Sequence, residues 1–116
     1  MKYKEYTANV IRIIDGDTIE VMIDMGFGIK YTSKLRFLDF DAPETYRPSC
    51  QEEKEAGRHA KMYLYDRLSK LESVTLRTYK DKKGKYGRIL ARIFIGDEDI
   101  IETMKTLGME KQNYGS

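Results

Sequence analysis

Two short acidic clusters contain the side chains of this sequence that are best suited to chemistry. The first is Asp15-Gly16-Asp17-Thr18 and the second is Asp39-Phe40-Asp41-Ala42-Pro43-Glu44. Both stand beside turn-forming residues at predicted strand ends, where carboxylates can gather oxygens around a hard cation such as Ca²⁺ or Mg²⁺. Taken alone, the first is better explained as a plain hairpin turn in which Gly16 tolerates a positive φ, and the second as a polar strand end. Neither spacing matches an EF-hand.

Two arginines lie where they could join these carboxylates. Arg36 falls within a predicted strand, five residues before Asp41, so the two side chains differ in parity along the strand. Strand twist and the end of the strand must bring them together if they share a site. Arg88 begins the last strand of a basic segment. A guanidinium matches phosphate with two parallel hydrogen bonds, although Arg88 alone is better explained as a surface charge.

Length and composition bound the class of protein. The chain has 116 residues, 21 Lys and Arg against 19 Asp and Glu, one cysteine and one histidine. This length indicates a single domain, residues 1–116, and the single cysteine excludes an internal disulfide framework or a Cys-rich zinc site. No apolar run approaches the roughly 18 residues of a membrane span, and the N-terminus lacks a signal-peptide pattern. We expect a monomeric cytoplasmic protein without a membrane partner, or a secreted one if a leader has been removed.

The formal net charge of +2 conceals an uneven distribution. Residues 73–96 contain seven basic residues and one acidic residue, whereas residues 97–116 contain two basic and five acidic residues. A segment this basic can present a local positive face to an anion. A solvated strand-and-turn surface explains the segment about equally well.

The hydrophobic pattern predicts the elements that must position these residues. Strands are expected at residues 6–14, 18–25, 29–40, 74–79 and 88–95, the third ended by Pro43. A helix should begin at Gln51, with Glu52 and Glu53 outside an apolar stripe made of Ala56, Ala60, Leu64, Leu68 and Leu71. A short helix near residues 100–107 should stop at Gly108. The order β-β-β-α-β-β-α predicts a mainly β, α+β fold: a five-stranded barrel with two packed helices.

Four motifs in register resemble the thermonuclease, or staphylococcal-nuclease-like, family between about residues 6 and 114. They are Asp15-Gly16-Asp17-Thr18, Leu35-Arg36, Asp41-Ala42-Pro43-Glu44-Thr45 and Lys85-Tyr86-Gly87-Arg88. Each motif is weak alone, but their order, spacing and intervening elements agree together. The resemblance implies an OB-fold barrel and a calcium-dependent phosphodiesterase, with Mg²⁺ or Mn²⁺ as alternative ions. Its substrates would be DNA, RNA or both, and its products would end in 3′-phosphates.

The resemblance also implies roles for nine positions. Those implied to bind the metal are Asp17, Asp41 and the backbone carbonyl of Ala42. Those implied to act on the scissile phosphate and the attacking water are Arg36, Arg88 and the general base Glu44. Those implied to contact the nucleotide are Lys85, Tyr86 and Tyr114.

Some features depart from the family pattern, and rival functions remain open. We expect the hairpin around residues 26–28 to be longer than in the family pattern, the loop after Glu44 to be shorter, and a third, C-terminal helix to be absent. A non-catalytic OB-type module that binds nucleic acid or protein is the main rival. Degenerate modules of that kind typically lose the acidic and arginine positions, which are present here. A third possibility, a passive calcium-binding domain, leaves both arginines unexplained. His59 and Cys50 are expected only to pack or to lie at the surface.

Overall fold

The described residues form six strands and two helices. The computed structural model describes residues 3–83, 87–112 and 114, with the backbone alone for residues 80–83. The strands are β1 (Lys4–Asp15), β2 (Thr18–Asp24), β3 (Lys30–Phe37), β4 (Val74–Lys83), β5 (Ile89–Ile95) and β6 (Glu98–Asp99). The helices are α1 (Gln51–Leu68) and α2 (Ile100–Thr106). The two-residue β6 is an addition to the five strands that the sequence predicts.

The strands form one sheet that closes on itself. Their order is β3-β2-β1-β4-β5-β6, and a parallel pairing between β3 and β5 joins the two ends of the five-stranded part. The prediction of a mainly β, α+β fold with an OB-type barrel and the order β-β-β-α-β-β-α is confirmed. In the closing pair, Arg36 stands opposite Leu90. Closure therefore brings the end of β3 beside the start of β5, where Arg88 is located.

The long strand β1 belongs to both halves of the barrel. Its residues 4–8 pair with β4, and its residues 8–15 pair with β2. The register with β2 shifts between Val10 and Arg12 and again between Ile13 and Asp15. Such irregularities bend a strand and increase its twist, which lets one strand turn the corner of a barrel.

The core lies between the barrel and the two helices. Its fully buried large side chains include Ile19, Leu35, Phe37, Leu64, Leu68, Leu76, Ile93, Ile100, Ile101 and Met104. The predicted stripe of α1 is correct at its centre and wrong at both ends. Leu71 lies beyond the helix and is exposed, whereas Glu53, predicted to be outside the stripe, is buried.

Strand β3 is shorter than predicted. It ends at Phe37, after which the Leu38 N–H donates to the Ala91 carbonyl at 3.0 Å and Asp39 takes a φ of 56°. This left-handed conformation redirects the chain, so the break comes before Pro43, which was expected to end the strand.

None of the helices in the described part of the chain is long and apolar enough to cross a membrane.

Candidate active site

A polar pocket of about 400 Å³ opens where β1, β3 and the segment after β3 meet. Its lining combines four carboxylates with three cationic side chains. The lining residues are Asp15, Asp17, Thr18, Arg36, Asp41, Ala42, Glu44, Arg88 and Lys111. All the residues that the sequence assigned to the metal, the water and the scissile phosphate are therefore brought to one pocket.

The turn between β1 and β2 fixes one wall of this pocket. The Asp17 carboxylate accepts hydrogen bonds from the Ala42 N–H at 3.0 Å and from the Thr18 hydroxyl at 2.9 Å. A Cβ atom at Gly16 would lie 2.8 Å from the Cβ of Ala42 and 2.9 Å from the Cβ of Ala60. The expectation of a positive φ at Gly16 is wrong, because glycine is needed here for close approach. The turn and the segment after β3 are thus in direct contact.

Arg36 joins the two predicted metal-binding carboxylates. Its guanidinium hydrogen-bonds to Asp41 and lies 3.4 Å from a carboxylate oxygen of Asp17. The same group donates to the backbone carbonyls of Phe37, at 3.1 Å, and Phe40. Although Arg36 and Asp41 differ in parity, the turn at Asp39 reverses the chain and brings them together.

Of the remaining predicted site residues, some line the pocket, one lies outside its lining and two lie outside the described residues. Glu44 and the Asp41 side chain are exposed at its rim, and Arg88 is half-buried. Arg88 also lines a neighbouring pocket of about 470 Å³, which shares Arg36 and Asp41 with the first. Tyr114 is half-buried and is absent from the lining that the described residues give to either pocket. The predicted nucleotide contacts Lys85 and Tyr86 lie outside the described residues.

Sequence reasoning missed Glu53, a charged residue behind the pocket. Its side chain is only 1% exposed, and its carboxylate accepts from the Ser49 N–H, the Ser49 hydroxyl and the Glu44 N–H. The hydrogen bond from the Ser49 N–H, followed by that from the Glu44 N–H, lowers the pKa of Glu53 to about 2. A sequence signal did exist: Glu53 continues the buried positions Gly57, Ala60 and Leu64 at helical spacing.

Lys111 is the second residue that was missed. Its backbone N–H donates to the Asp41 carbonyl at 2.8 Å, and its ammonium lies 3.6 Å from Glu53. The segment after α2 therefore returns to the pocket and ties the Asp41 backbone in place. No local pattern could have predicted this contact, because it depends on how the chain returns after α2.

The pocket offers oxygen donors, the kind that hard divalent cations prefer. Arg36 and Ala42 bring the Asp17 and Asp41 carboxylates to the same wall. Within the described ranges no group of three or more His, Cys, Asp or Glu side chains could hold a metal ion. The donor chemistry suits Ca²⁺ or Mg²⁺, but Asp17 and Asp41 supply two carboxylates, so a bound ion would need further ligands, such as water, to reach the six to eight typical of calcium.

The closed OB-type barrel, with carboxylates and arginines gathered at one pocket, defines the class of small barrel proteins with a polar, charged site. A family model described as staphylococcal nuclease homologue matches residues 34–114. The thermonuclease of Staphylococcus hyicus is 34% identical over 113 residues, which cover 95% of this chain and 61% of that protein. The chain belongs to the staphylococcal nuclease family.

Two further relatives are longer proteins. Endonuclease YhcR of Bacillus subtilis (strain 168) is 34% identical over 93 residues, covering 77% of this chain and 7% of that protein. Endonuclease YncB of the same organism is 33% identical over 106 residues, covering 89% of this chain and 46% of that protein. The chain thus spans less than two thirds of the length of each of these relatives.

Proposed function

We propose that this protein is a calcium-dependent nuclease that hydrolyses phosphodiester bonds in DNA, RNA or both and leaves 3′-phosphate ends. The observation that carries the proposal is the meeting of Asp17, Asp41, Glu44, Arg36 and Arg88 at one pocket of about 400 Å³. Family membership and relatives named as endonucleases and a thermonuclease support the same activity. A passive calcium-binding domain would not need two arginines beside its carboxylates.

In the proposed reaction, the chain's own residues orient the phosphate and the water. Arg36 and Arg88 donate hydrogen bonds to phosphoryl oxygens, whose negative charge increases as water attacks. Glu44 accepts a proton from that water while the water oxygen forms a bond to phosphorus. The bond from phosphorus to the 5′ oxygen breaks, that oxygen takes up a proton, and the phosphate remains on the 3′ side.

A divalent cation, when bound, would supply further charge stabilisation for the phosphoryl oxygens. Asp17, Asp41 and the Ala42 carbonyl would hold it. This set is supported by the hydrogen bond from the Ala42 N–H to Asp17, which joins the β1–β2 turn to the segment after β3, and by the presence of all three residues in the lining of one pocket.

Cleavage assays test the proposal directly. Single- and double-stranded DNA and RNA are incubated with the protein in Ca²⁺, Mg²⁺, Mn²⁺ or EDTA, and product ends are mapped by their susceptibility to a 3′-phosphatase. We expect cleavage with Ca²⁺, none with EDTA, and 3′-phosphate ends. Binding without cleavage under every condition would instead favour the non-catalytic module. Full activity with Mg²⁺ and a calcium-specific chelator would overturn the calcium assignment.

Two alanine variants test the proposed phosphate contacts. Arg36→Ala and Arg88→Ala should each remain folded and lose about a hundred- to a thousandfold in cleavage rate, since each removes a donor to developing charge. Arg12→Ala is the matched control, because Arg12 pairs with Glu20 away from the pocket lining. Near-full activity in both variants would show that the site is assigned wrongly.

A further inference from the structure

A buried carboxylate behind the active-site pocket has no role in the proposed chemistry. Glu53 is 1% exposed and is absent from the pocket lining, so it cannot reach a substrate there. Burying a charge costs free energy unless hydrogen bonds and opposite charges compensate. The compensation is extensive: two backbone N–H groups, one hydroxyl and the Lys111 ammonium face this carboxylate. It also lies in the first turn of α1, where the helix dipole favours an anion.

The two carboxylate oxygens of Glu53 hold opposite ends of one loop. Oε1 accepts from the Ser49 N–H at 2.7 Å and from its hydroxyl at 2.9 Å. Oε2 accepts from the Glu44 N–H at 3.2 Å. In a capping box, a glutamate at this helical position bonds to the N–H of the N-cap residue, which is Cys50 here, but Glu53 bonds one residue earlier, to Ser49, and also reaches Glu44 at the start of the loop. The carboxylate therefore closes residues 44–49 against α1.

The middle of this loop gives little other support to Glu44. Tyr46 is 82% exposed, and among the described residues its ring contact is with the neighbouring Arg47, whose guanidinium carbon lies 5.5 Å from the ring centre. The support comes instead from beneath the loop, where Thr45 bonds to Asp15 at 3.2 Å and Gly57 leaves space for the Pro43 carbonyl. Glu53 is the part of this support that contacts the Glu44 peptide by a hydrogen bond.

We infer that Glu53 is a positioning residue for Glu44, holding the Glu44 backbone so that its side chain projects into the pocket. The inference rests on the proposed nuclease function, in which Glu44 takes a proton from water. Arg36 is held by the carbonyls of Phe37 and Phe40, and Arg88 stands just before β5, which pairs with β3, so we expect phosphate binding to depend little on Glu53.

The substitution Glu53→Gln tests this role with little change in shape. The glutamine carbonyl oxygen still accepts, but the amide nitrogen that replaces the second carboxylate oxygen can only donate, so the N–H of either Glu44 or Ser49 loses its partner. We expect kcat to fall by about ten- to a hundredfold through misplacement of the base, with KM changed by less than about twofold. Glu44 and Ser49 amides should exchange hydrogen faster. Glu52→Gln, at an exposed neighbouring position on α1, is the control and should leave kcat, KM and the exchange of these amides unchanged.

A double-substitution cycle separates positioning from general stability. In a Glu44→Gln background, Glu53→Gln should cause little further loss of kcat, because the group it positions is already absent. All variants are assayed well below their unfolding temperatures. If Glu53→Gln does not fold, Glu53→Asp replaces it: the charge is kept, but the shorter side chain cannot reach both ends of the loop.

The outcomes distinguish the two proposals. A wild-type protein that cleaves, with equal losses from Glu53→Gln in both backgrounds or unchanged exchange of the Glu44 amide, overturns the positioning role alone. A wild-type protein that cleaves no nucleic acid with any of the three cations overturns the nuclease function and the positioning role with it.

Discussion

Arg36 combines a structural and a proposed chemical role in a single side chain. One guanidinium nitrogen donates to the carbonyls of Phe37 and Phe40, and another faces the carboxylates of Asp17 and Asp41. The side chain is only 17% exposed, so these contacts are shielded from water. A lysine has the same charge but a single nitrogen, which cannot serve both pairs of partners.

This difference predicts the effect of Arg36→Lys. We expect the cleavage rate to fall at least about a hundredfold, because one ammonium cannot replace the guanidinium fork. The free energy of unfolding should fall by about 1–2 kcal/mol, since the two carbonyls lose their donor. Urea unfolding and initial cleavage rates measure the two effects. Arg12→Lys should be neutral in both assays, and an active Arg36→Lys variant would show that charge alone suffices.

At the residue scale, the sequence predicted the pocket-lining residues better than the support beneath them. Asp17, Arg36 and Glu44 were predicted because they belong to the motifs that carry the family resemblance, since the local pattern alone favoured a plain turn and a polar strand end. Glu53 was placed on the solvent side because a charged residue usually is. Its burial depends on amide donors from Glu44 and Ser49, and these come from a loop conformation that local pattern does not specify.

At Gly57, helix α1 packs so closely against the segment after β3 that there is no room for a side chain. A Cβ atom on Gly57 would lie 2.7 Å from the Pro43 carbonyl oxygen, 2.6 Å from the Thr45 methyl group and 3.3 Å from the Glu44 carbonyl carbon. Glycine within a helix normally costs about 1 kcal/mol relative to alanine. This cost is accepted here because the helix must approach backbone.

Gly57→Ala should therefore be destabilising, against the helix-propensity expectation. We expect a loss of about 1–3 kcal/mol from overpacking, together with lower nuclease activity because the strain falls on the peptide that carries Glu44. Thermal unfolding and cleavage rates provide the measurements. Arg58→Ala, at an exposed position of the same helix, is the control. A Gly57→Ala protein more stable than the wild type would mean that the segment yields without cost.

At the scale of the whole molecule, the order of elements and a barrel were predictable, but the particular strand pairing that closes the barrel was not. Alternation and turn residues give the strands, but they do not specify that β3 pairs with β5 in parallel. That pairing places Arg88 at the pocket containing Arg36, although the two arginines are far apart in the chain. Resemblance to a family supplied this long-range information at the sequence level.

The uneven charge distribution is also explained by long-range pairing. Within the basic segment, Arg92 contacts Asp99 at 3.0 Å and Glu102 at 3.3 Å, both from the acidic C-terminal part. Arg77 lies between the rings of Tyr3 and Phe94, at 4.4 and 4.2 Å from their centres. Part of the basic segment, including Arg77 and Arg92, therefore stabilises the fold. Arg88, from the same segment, lines the pocket instead.

Buried or hydrogen-bonded carboxylates should make the stability of the whole domain sensitive to acid. The Arg67 guanidinium, followed by the Thr103 hydroxyl, lowers the pKa of Glu98, and this contact ties α1 to β6 and α2. The pKa of Glu53 is lowered from 4.5 to about 2. Both pKa values are lower in the folded chain than in the unfolded chain. Their stabilising effect is therefore complete above about pH 4.5 and is lost as the pH falls through the folded values.

We expect the free energy of unfolding to fall steadily below about pH 4.5 and to level off only near pH 2, where Glu53 itself takes up a proton. Urea titrations at intervals of pH measure the slope of the free energy of unfolding against pH, which is proportional to the excess of protons bound by the unfolded chain. Glu98→Gln should be less stable at neutral pH and show a shallower acid slope, because one of the linked carboxyls is gone. Glu52→Gln should keep the wild-type slope. An identical slope in Glu98→Gln and the wild type would show that the Arg67 contact does not couple protonation to folding.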